Sequence, residues 1–273
     1  MQATDHPFVS AHSQTIADTK RLLSVIIITL NEQDNLANCL QSVMGIAQEI
    51  IIVDSGSQDN TAAIAKQFGA RFIVNAQWSG FGAQKNLALS YANCSWVLSI
   101  DADESLTPEL RAEIVAALEQ PKYDGYLLPR QSYFLGKRVR YSGWYPDYVL
   151  RLFLRTQAQF SNNLVHESVL LNGKIGRLKH PLQHYSYRDR QEVQIKTNRY
   201  ASAGAQQMYL LGKNAFKYQA VIHAIAAWGR AFILKLGILD GHTGWQIAKM
   251  NAQVAYKKYR QLYLRQQKSE KNN

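Results

Sequence analysis

The chain has 273 residues, 47% of them hydrophobic, and a formal net charge of +11. That length and apolar share allow a large core in one or two domains, and exclude a segment too short or too polar to fold. The positive balance calls for an anionic partner: nucleic acid, a membrane surface or a phosphorylated substrate.

Ser24–Leu30 is a β-branched run that predicts a first buried strand. An amphipathic helix follows through Met44, with Leu36, Leu40 and Val43 on one face and Cys39 beside them. Glu49–Val53 predicts a second buried strand ending in Asp54-Ser55-Gly56-Ser57. Asp59 or Asn60 then caps a helix that stops at Gly69, and Arg71–Val74 is a short third strand. A loop with Gly80 and Gly82 leads into a helix carrying Gln84, Lys85 and Asn86. Next comes the stretch Trp-Val-Leu-Ser-Ile-Asp-Ala-Asp-Glu, residues 96–104: a short apolar strand broken by acids. A helix at Pro108–Leu118 completes an alternation of strands and helices that indicates a parallel, doubly wound sheet.

After that the texture changes. Tyr123–Pro129, Arg138–Trp144, Val149–Leu154 and Leu164–Leu171 predict shorter strands and loops, rich in Tyr, Arg and Gly, forming a small antiparallel extension that covers the site. Beyond Tyr187 the pattern is helical to the end. The expected organisation is therefore a loose N-terminal extension over 1–20, a nucleotide-sugar-binding half over 21–120, an acceptor half over 121–187, and a basic helical region over 188–273. The two cysteines, Cys39 and Cys94, lack a metal-ligand spacing and are expected as buried hydrophobes in a reducing compartment. Met1–Lys20 shows no basic start followed by an apolar stretch, so no signal peptide is expected.

In open α/β sheets ligands sit beyond the carboxyl ends of the strands. Asp101 and Asp103 would lie at that lip, where carboxylates can hold a hard divalent cation. Four motifs then agree in order and spacing: Thr29-Leu30-Asn31-Glu32, Val53-Asp54-Ser55-Gly56-Ser57-Gln58-Asp59-Asn60-Thr61, Gln84-Lys85-Asn86 and Asp101-Ala102-Asp103-Glu104. Over Ser24–Leu118 they resemble the nucleotide-sugar-binding half of family-2 glycosyltransferases with the GT-A fold. Pro146-Asp147…Arg151-Leu152-Phe153 and Val165-His166-Glu167 resemble the branch that adds glucose to the inner core of lipopolysaccharide or lipooligosaccharide.

The resemblance implies a role for each matching residue. Asp54 would accept the uracil N3–H, although Asp-Ser-Gly-Ser also suits a turn. Thr29 and Glu32 would touch the base or ribose. Lys85 stands where the family often has arginine, near the uracil carbonyl or the phosphates, and brings charge without the bidentate fork. Asp101 would meet the ribose and share in the metal, and Asp103 would bind Mg²⁺ or Mn²⁺ directly, with His184, or else His180, completing the shell. An inverting transfer also needs a general base for the acceptor hydroxyl. Glu167 is the first candidate and Asp147 the second. Trp78, Tyr133 and Trp144 could stack on sugar rings or pack in the core.

Residues 205–273 hold 11 Lys+Arg against 2 Asp+Glu, so +9 of the +11 lies in the C-terminal quarter. Ala220–Leu239 is strongly apolar, but His223, Arg230 and Lys235 interrupt it, short of the roughly 20 clean apolar residues of a spanning helix. Lys213, Lys217, Lys257, Lys258, Arg260 and Arg265, interleaved with Trp245, Tyr256, Tyr259 and Tyr263, suit an anionic membrane surface. The expectation is a peripheral enzyme at the inner face of the cytoplasmic membrane, using a UDP-sugar on a lipid-linked core glycan. Rival acceptors are polyprenyl phosphate, a protein or another glycan. A nucleic-acid-binding protein is a rival class, but the chain has no zinc spacing, helix-turn-helix or RNP-like motif, so no nucleic acid is expected as partner. A catalytically dead sugar-nucleotide module is a third rival, opposed by the presence of Asp54, Asp101, Asp103 and a base.

Overall fold

The computed structural model describes residues 23–161 and 167–272. The expected N-terminal extension, with Val165 and His166, lies outside the described residues. The chain forms two compact units, one ending at Leu128 and resuming over Val149–Pro181, the other made of Pro129–Tyr148 and the chain from Leu182 onward.

The first unit opens with β1 (Leu23–Thr29), α1 (Leu36–Val43), β2 (Glu49–Asp54), α2 (Thr61–Gln67), β3 (Arg71–Val74), α3 (Phe81–Ser90) and β4 (Trp96–Ser99). The four strands are parallel, in the order β3-β2-β1-β4. Ile26, Ile27 and Ile50–Val53 are buried. Such continuous β-branched runs, stiff at χ1 and apolar on both sides, are what a sheet covered on both faces requires. Helix α1 buries Leu36, Cys39, Leu40 and Val43 at the spacing of one helical face. Ala88 and Leu89 of α3 pack with Ile26, Ile51, Val53 and Val97 from three strands. Burying each of the larger aliphatic chains contributes about 1.5–3 kcal/mol. The chain leaves β1 on one side toward β2 and β3, then returns on its other side as β4. In such sheets a reversal of this kind marks the usual ligand place, beyond the carboxyl ends of the strands, here β1 and β4.

The acidic stretch then does something the sequence does not announce. Glu104–Leu106 is a buried strand, β5, and Glu104 is only 1% exposed. The cap of the next helix, α4 (Pro108–Glu119), comes from Thr107, whose side chain accepts a hydrogen bond from the Leu110 N–H. The remaining strands are β6 (Gly125–Phe134), β7 (Lys137–Arg138), β8 (Asp147–Leu154), β9 (Ala158–Phe160), β10 (Val169–Leu171), β11 (Ile175–Arg177) and β12 (Leu182–Tyr187). β8 runs antiparallel to β4 and β9 antiparallel to β10, but β11 and β12 run parallel to β6. The expected extension is therefore only partly antiparallel. Of the stretch Arg138–Trp144 only Arg138 is in a strand; the rest is loop, in which Ser142 and Gly143 take positive φ (61° and 79°).

In the second unit, the latter part of β6 pairs with β7 and β12, and three helices follow: α5 (Arg190–Leu210), α6 (Gln219–Gly229) and α7 (His242–Asn272). Asp189 caps α5 by accepting from the Glu192 N–H. Phe134, Val139, Tyr187, Ile247 and Met250 form this unit's core, with Trp144 against it. Trp144 is thus a packing residue. No helix among the described residues is long and apolar enough to cross a membrane.

Candidate active site

The loops that follow β1 and β2 are laced together. Asn31 N–H donates to Ser57 Oγ (2.8 Å) and Gln58 N–H to Asn31 Oδ1 (2.9 Å), while Gln33 N–H donates to Asp59 Oδ2 (3.1 Å) and Asn60 N–H to Gln33 Oε1 (3.1 Å). Glu32 N–H donates to Thr61 Oγ1 (2.9 Å), and the Glu32 carboxylate accepts from Asn35 Nδ2 (2.7 Å). Asp54, 1% exposed, sits at the centre of this lacing. Its Oδ1 accepts from the Gly56 and Ser57 N–H groups (2.8 and 2.7 Å), and its Oδ2 accepts from Thr29 and Ser57 hydroxyls (2.7 and 2.5 Å). Asp54 thereby shapes the turn, and Thr29 supports Asp54. Thr29→Val keeps the shape and removes one bond to a buried carboxylate. It should cost about 1.5–3 kcal/mol in a denaturant titration; an unchanged midpoint would mean Ser57 suffices alone.

The three polar residues of α3 hold three different parts. Gln84 Nε2 donates to Ser55 Oγ (2.9 Å) and to the Asn75 carbonyl (3.0 Å), and Asn75 Nδ2 donates back to Gln84 Oε1 (2.7 Å). Asn86 exchanges a pair of bonds with the Phe160 backbone (2.9 and 2.8 Å), which fixes the end of β9. Lys85, 3% exposed, places its ammonium 2.9 Å from Asp101 Oδ1 and 2.8 Å from Glu167 Oε1.

Asp101 is clamped from its other side as well. Arg151, 6% exposed on β8, puts Nη2 2.5 Å from Asp101 Oδ2 and 2.7 Å from Glu104 Oε1. Glu104 Oε2 in turn accepts from the Asp101 N–H (2.9 Å), closing the turn between β4 and β5. Burial opposes ionisation of Asp101, but the Arg151 guanidinium and then the Lys85 ammonium outweigh it and hold the carboxyl well below the usual carboxylate range. At Arg151 the carboxylates of Asp101 and then Glu104 outweigh burial and raise it. Cys39, directly beneath, contacts the Asp101 carbonyl, and burial followed by the acids pushes its thiol up.

The structure thus brings Lys85, Asp101 and Glu167 together, and adds Arg151 and Glu104 to them. From sequence Arg151 reads as an ion-pair partner for Glu167 or Asp147, whereas it pairs with Asp101 and Glu104; a charge inside the apolar run Val149–Leu154 is the signal of its burial. Asp103 is half-buried in the turn closed by the Glu104 N–H and the Asp101 carbonyl (2.9 Å). Among the described residues no three His, Cys, Asp or Glu side chains converge as a ready cage for a metal. With both Asp101 oxygens held by cations, the donor set fits a hard cation bound through the Asp103 carboxylate and a ligand's phosphate oxygens. In the second unit, His184 Nδ1 meets the hydroxyls of Ser132 (3.2 Å) and Ser186 (2.9 Å). Asp147 there is held by Arg130 through Nε (3.0 Å) and Nη2 (2.6 Å), and Tyr133 stacks on Tyr185 at 4.9 Å. His180, in the first unit, is paired with Glu113 at 3.0 Å. Trp78 is 47% exposed and meets Phe81 edge-on.

Residues 24–170 match the family model described as glycosyl transferase family 2. A Rickettsia felis protein named an uncharacterized glycosyltransferase is 33% identical over 235 residues, covering 82% of this chain and 83% of its own. The Rhizobium meliloti lipopolysaccharide core biosynthesis glycosyltransferase LpsC is 30% identical over 259 residues, covering 87% and 93%. Among solved structures, S. aureus TarS 1–349 aligns with a TM-score of 0.48 at 17% identity, over 88% of this chain and 91% of that one. A model match over more than half of the chain, with relatives of 30% identity or more along most of it, places this protein in glycosyl transferase family 2, and it is a glycosyltransferase.

Proposed function

We propose that the enzyme is an inverting, metal-dependent hexosyltransferase that moves glucose from UDP-glucose to an inner-core sugar of lipopolysaccharide, at the inner face of the cytoplasmic membrane. The observation that carries this reading is the buried Lys85 that joins Asp101, beyond the end of β4, to Glu167. In this reading the pairing supports a cation for the phosphates beside a carboxylate that serves as base. The LpsC relative, named for lipopolysaccharide core biosynthesis, supports the acceptor class.

In this reading Asp54 receives the uracil N3–H by exchanging one of its four hydrogen bonds, and the rotatable Ser57 hydroxyl is the one that leaves. Thr29 and Glu32 flank the base and ribose. Lys85 has three N–H donors, two engaged by Asp101 and Glu167, and turns its third to the diphosphate. Asp103 would hold Mg²⁺ or Mn²⁺; when bound, the cation neutralises charge on the leaving diphosphate. Glu167 takes the proton of the acceptor hydroxyl on the face opposite the leaving group. The C-terminal helices would face the anionic membrane that carries the acceptor.

A thermal-shift series with UDP, GDP, CDP and dTDP, each with and without Mn²⁺, tests the donor half. A ligand at a hundred times its Kd stabilises the fold by about 2.7 kcal/mol. The expected result is a UDP-selective, Mn²⁺-dependent rise that Asp103→Ala abolishes. Equal shifts for all four nucleotides, or a rise indifferent to Mn²⁺, would sink the donor or the metal assignment respectively.

A further inference from the structure

We propose that the turn between α6 and α7 is a wedge that inserts into the headgroup region of an anionic phospholipid bilayer. The purpose of the wedge rests on the reading that the acceptor is lipid-linked; its existence rests on separate observations. Ile225, Ile233, Leu234, Leu236, Ile238 and Leu239 are between 51% and 75% exposed, six aliphatic side chains within fifteen residues of one unit. Scattered surface leucines need no explanation, but a contiguous exposed apolar patch marks an interaction site.

The patch is held in shape. After α6 the chain passes through a π-helical turn, Arg230–Leu234, and a short 3₁₀ segment, Gly237–Asp240. The Ser142 N–H donates to the Lys235 carbonyl (2.8 Å), and the Asp240 carboxylate accepts from the Arg140 and Tyr141 N–H groups (3.1 and 2.9 Å). Leu236 is kept at a φ of 55°, a left-handed conformation that costs a leucine strain, while about half of its surface stays exposed.

Charge selects the occupant. From Lys213 to Leu239 there is no acidic residue, while Lys213, Lys217, Arg230 and Lys235 are all exposed. The next acid, Asp240, is turned inward onto the backbone. A second copy of the same face would set these cations against one another. An anionic headgroup layer pairs with them and receives the aliphatic side chains. Half-exposed Trp245 packs edge-on against Trp228 and Phe232 (5.4 and 5.6 Å) at the base of the turn, and aromatic rings favour the membrane–water boundary. No helix among the described residues is long and apolar enough to cross a membrane, and the proposed wedge requires none.

The test is co-sedimentation of the full chain with vesicles of phosphatidylethanolamine and phosphatidylglycerol, against phosphatidylcholine vesicles. The expected result is binding to the anionic vesicles that weakens with salt, accompanied by a blue shift of tryptophan fluorescence. Ile233→Ser with Leu234→Ser should lower that binding roughly tenfold or more, and Arg230→Gln with Lys235→Gln should flatten the salt dependence. Both pairs are exposed, so the UDP thermal shift should be unchanged; a lost UDP response with vesicle binding intact would instead indict the donor site. Vesicle binding untouched by the Ile233/Leu234 variant would overturn the wedge. So would sedimentation velocity showing a dimer that this variant dissolves, in a protein that ignores vesicles.

Discussion

Arg151→Met lowers the stability of the protein by about 3–5 kcal/mol, read as a fall in melting temperature on the order of 10 °C. The guanidinium is 6% exposed and bonds two carboxylates, Asp101 and Glu104, the latter with no solvent exposure of its side chain. Methionine fills the volume but leaves both acids facing a hydrocarbon chain. Arg151→Lys falls between, since it keeps the charge and loses the planar group that reaches both acids. The loss also has a pH signature. Asp101 is held well below the usual carboxylate range. Its contribution to stability is therefore present above its unfolded value and lost only as the pH falls through the lower folded one. Without Arg151 that depression shrinks. The gap between wild type and variant should be widest at neutral pH and narrow below about pH 4. Urea titrations at several pH values decide it: a gap that stays constant into acid would show that the arginine acts by packing alone.

Glu167→Gln should lower kcat by about 10²–10⁴-fold, the range expected when a general base is removed, while leaving UDP binding in place. Asp147→Asn should cost far less, because Asp147 already accepts two bonds from Arg130, at 3.0 and 2.6 Å, and serves its own unit. UDP release in the presence of a lipopolysaccharide core acceptor, with the thermal shift as control for binding, separates the two. A larger loss for Asp147→Asn would reverse the assignment. Loss of UDP binding in Glu167→Gln would mean instead that Glu167 serves chiefly to hold Lys85.

The sequence shows the parallel half of the fold because local pattern is enough for it. Ile26, Ile51 and Val53 lie in unbroken β-branched runs, and Leu36, Leu40 and Val43 repeat at helical spacing. Three residues of the motifs that the sequence singles out, Lys85, Asp101 and Glu167, do converge. How they converge is a matter of long-range pairing. Lys85 and Glu167 are 82 positions apart, and Asp101 and Arg151 are 50 apart, separations on which periodicity is silent. Glu104 misleads for a related reason. An acid beside two others looks like a solvated turn until a buried arginine arrives from β8 to pair it. Asp54 combines two readings, since its turn-forming bonds are visible in Asp-Ser-Gly-Ser and its burial is not.

The lacing of the loops after β1 and β2 bears on how such an enzyme could change its donor. Asn31, Gln33, Ser57 and Asp59 exchange bonds across two segments more than twenty residues apart, so neither loop keeps its form without the other. A loop already set in place gives up little freedom when a ligand arrives, which favours tight and selective binding. The same rigidity makes the pair a single heritable module. Transplanting one loop from a relative with another donor should yield a misfit, and transplanting both together should carry the specificity across.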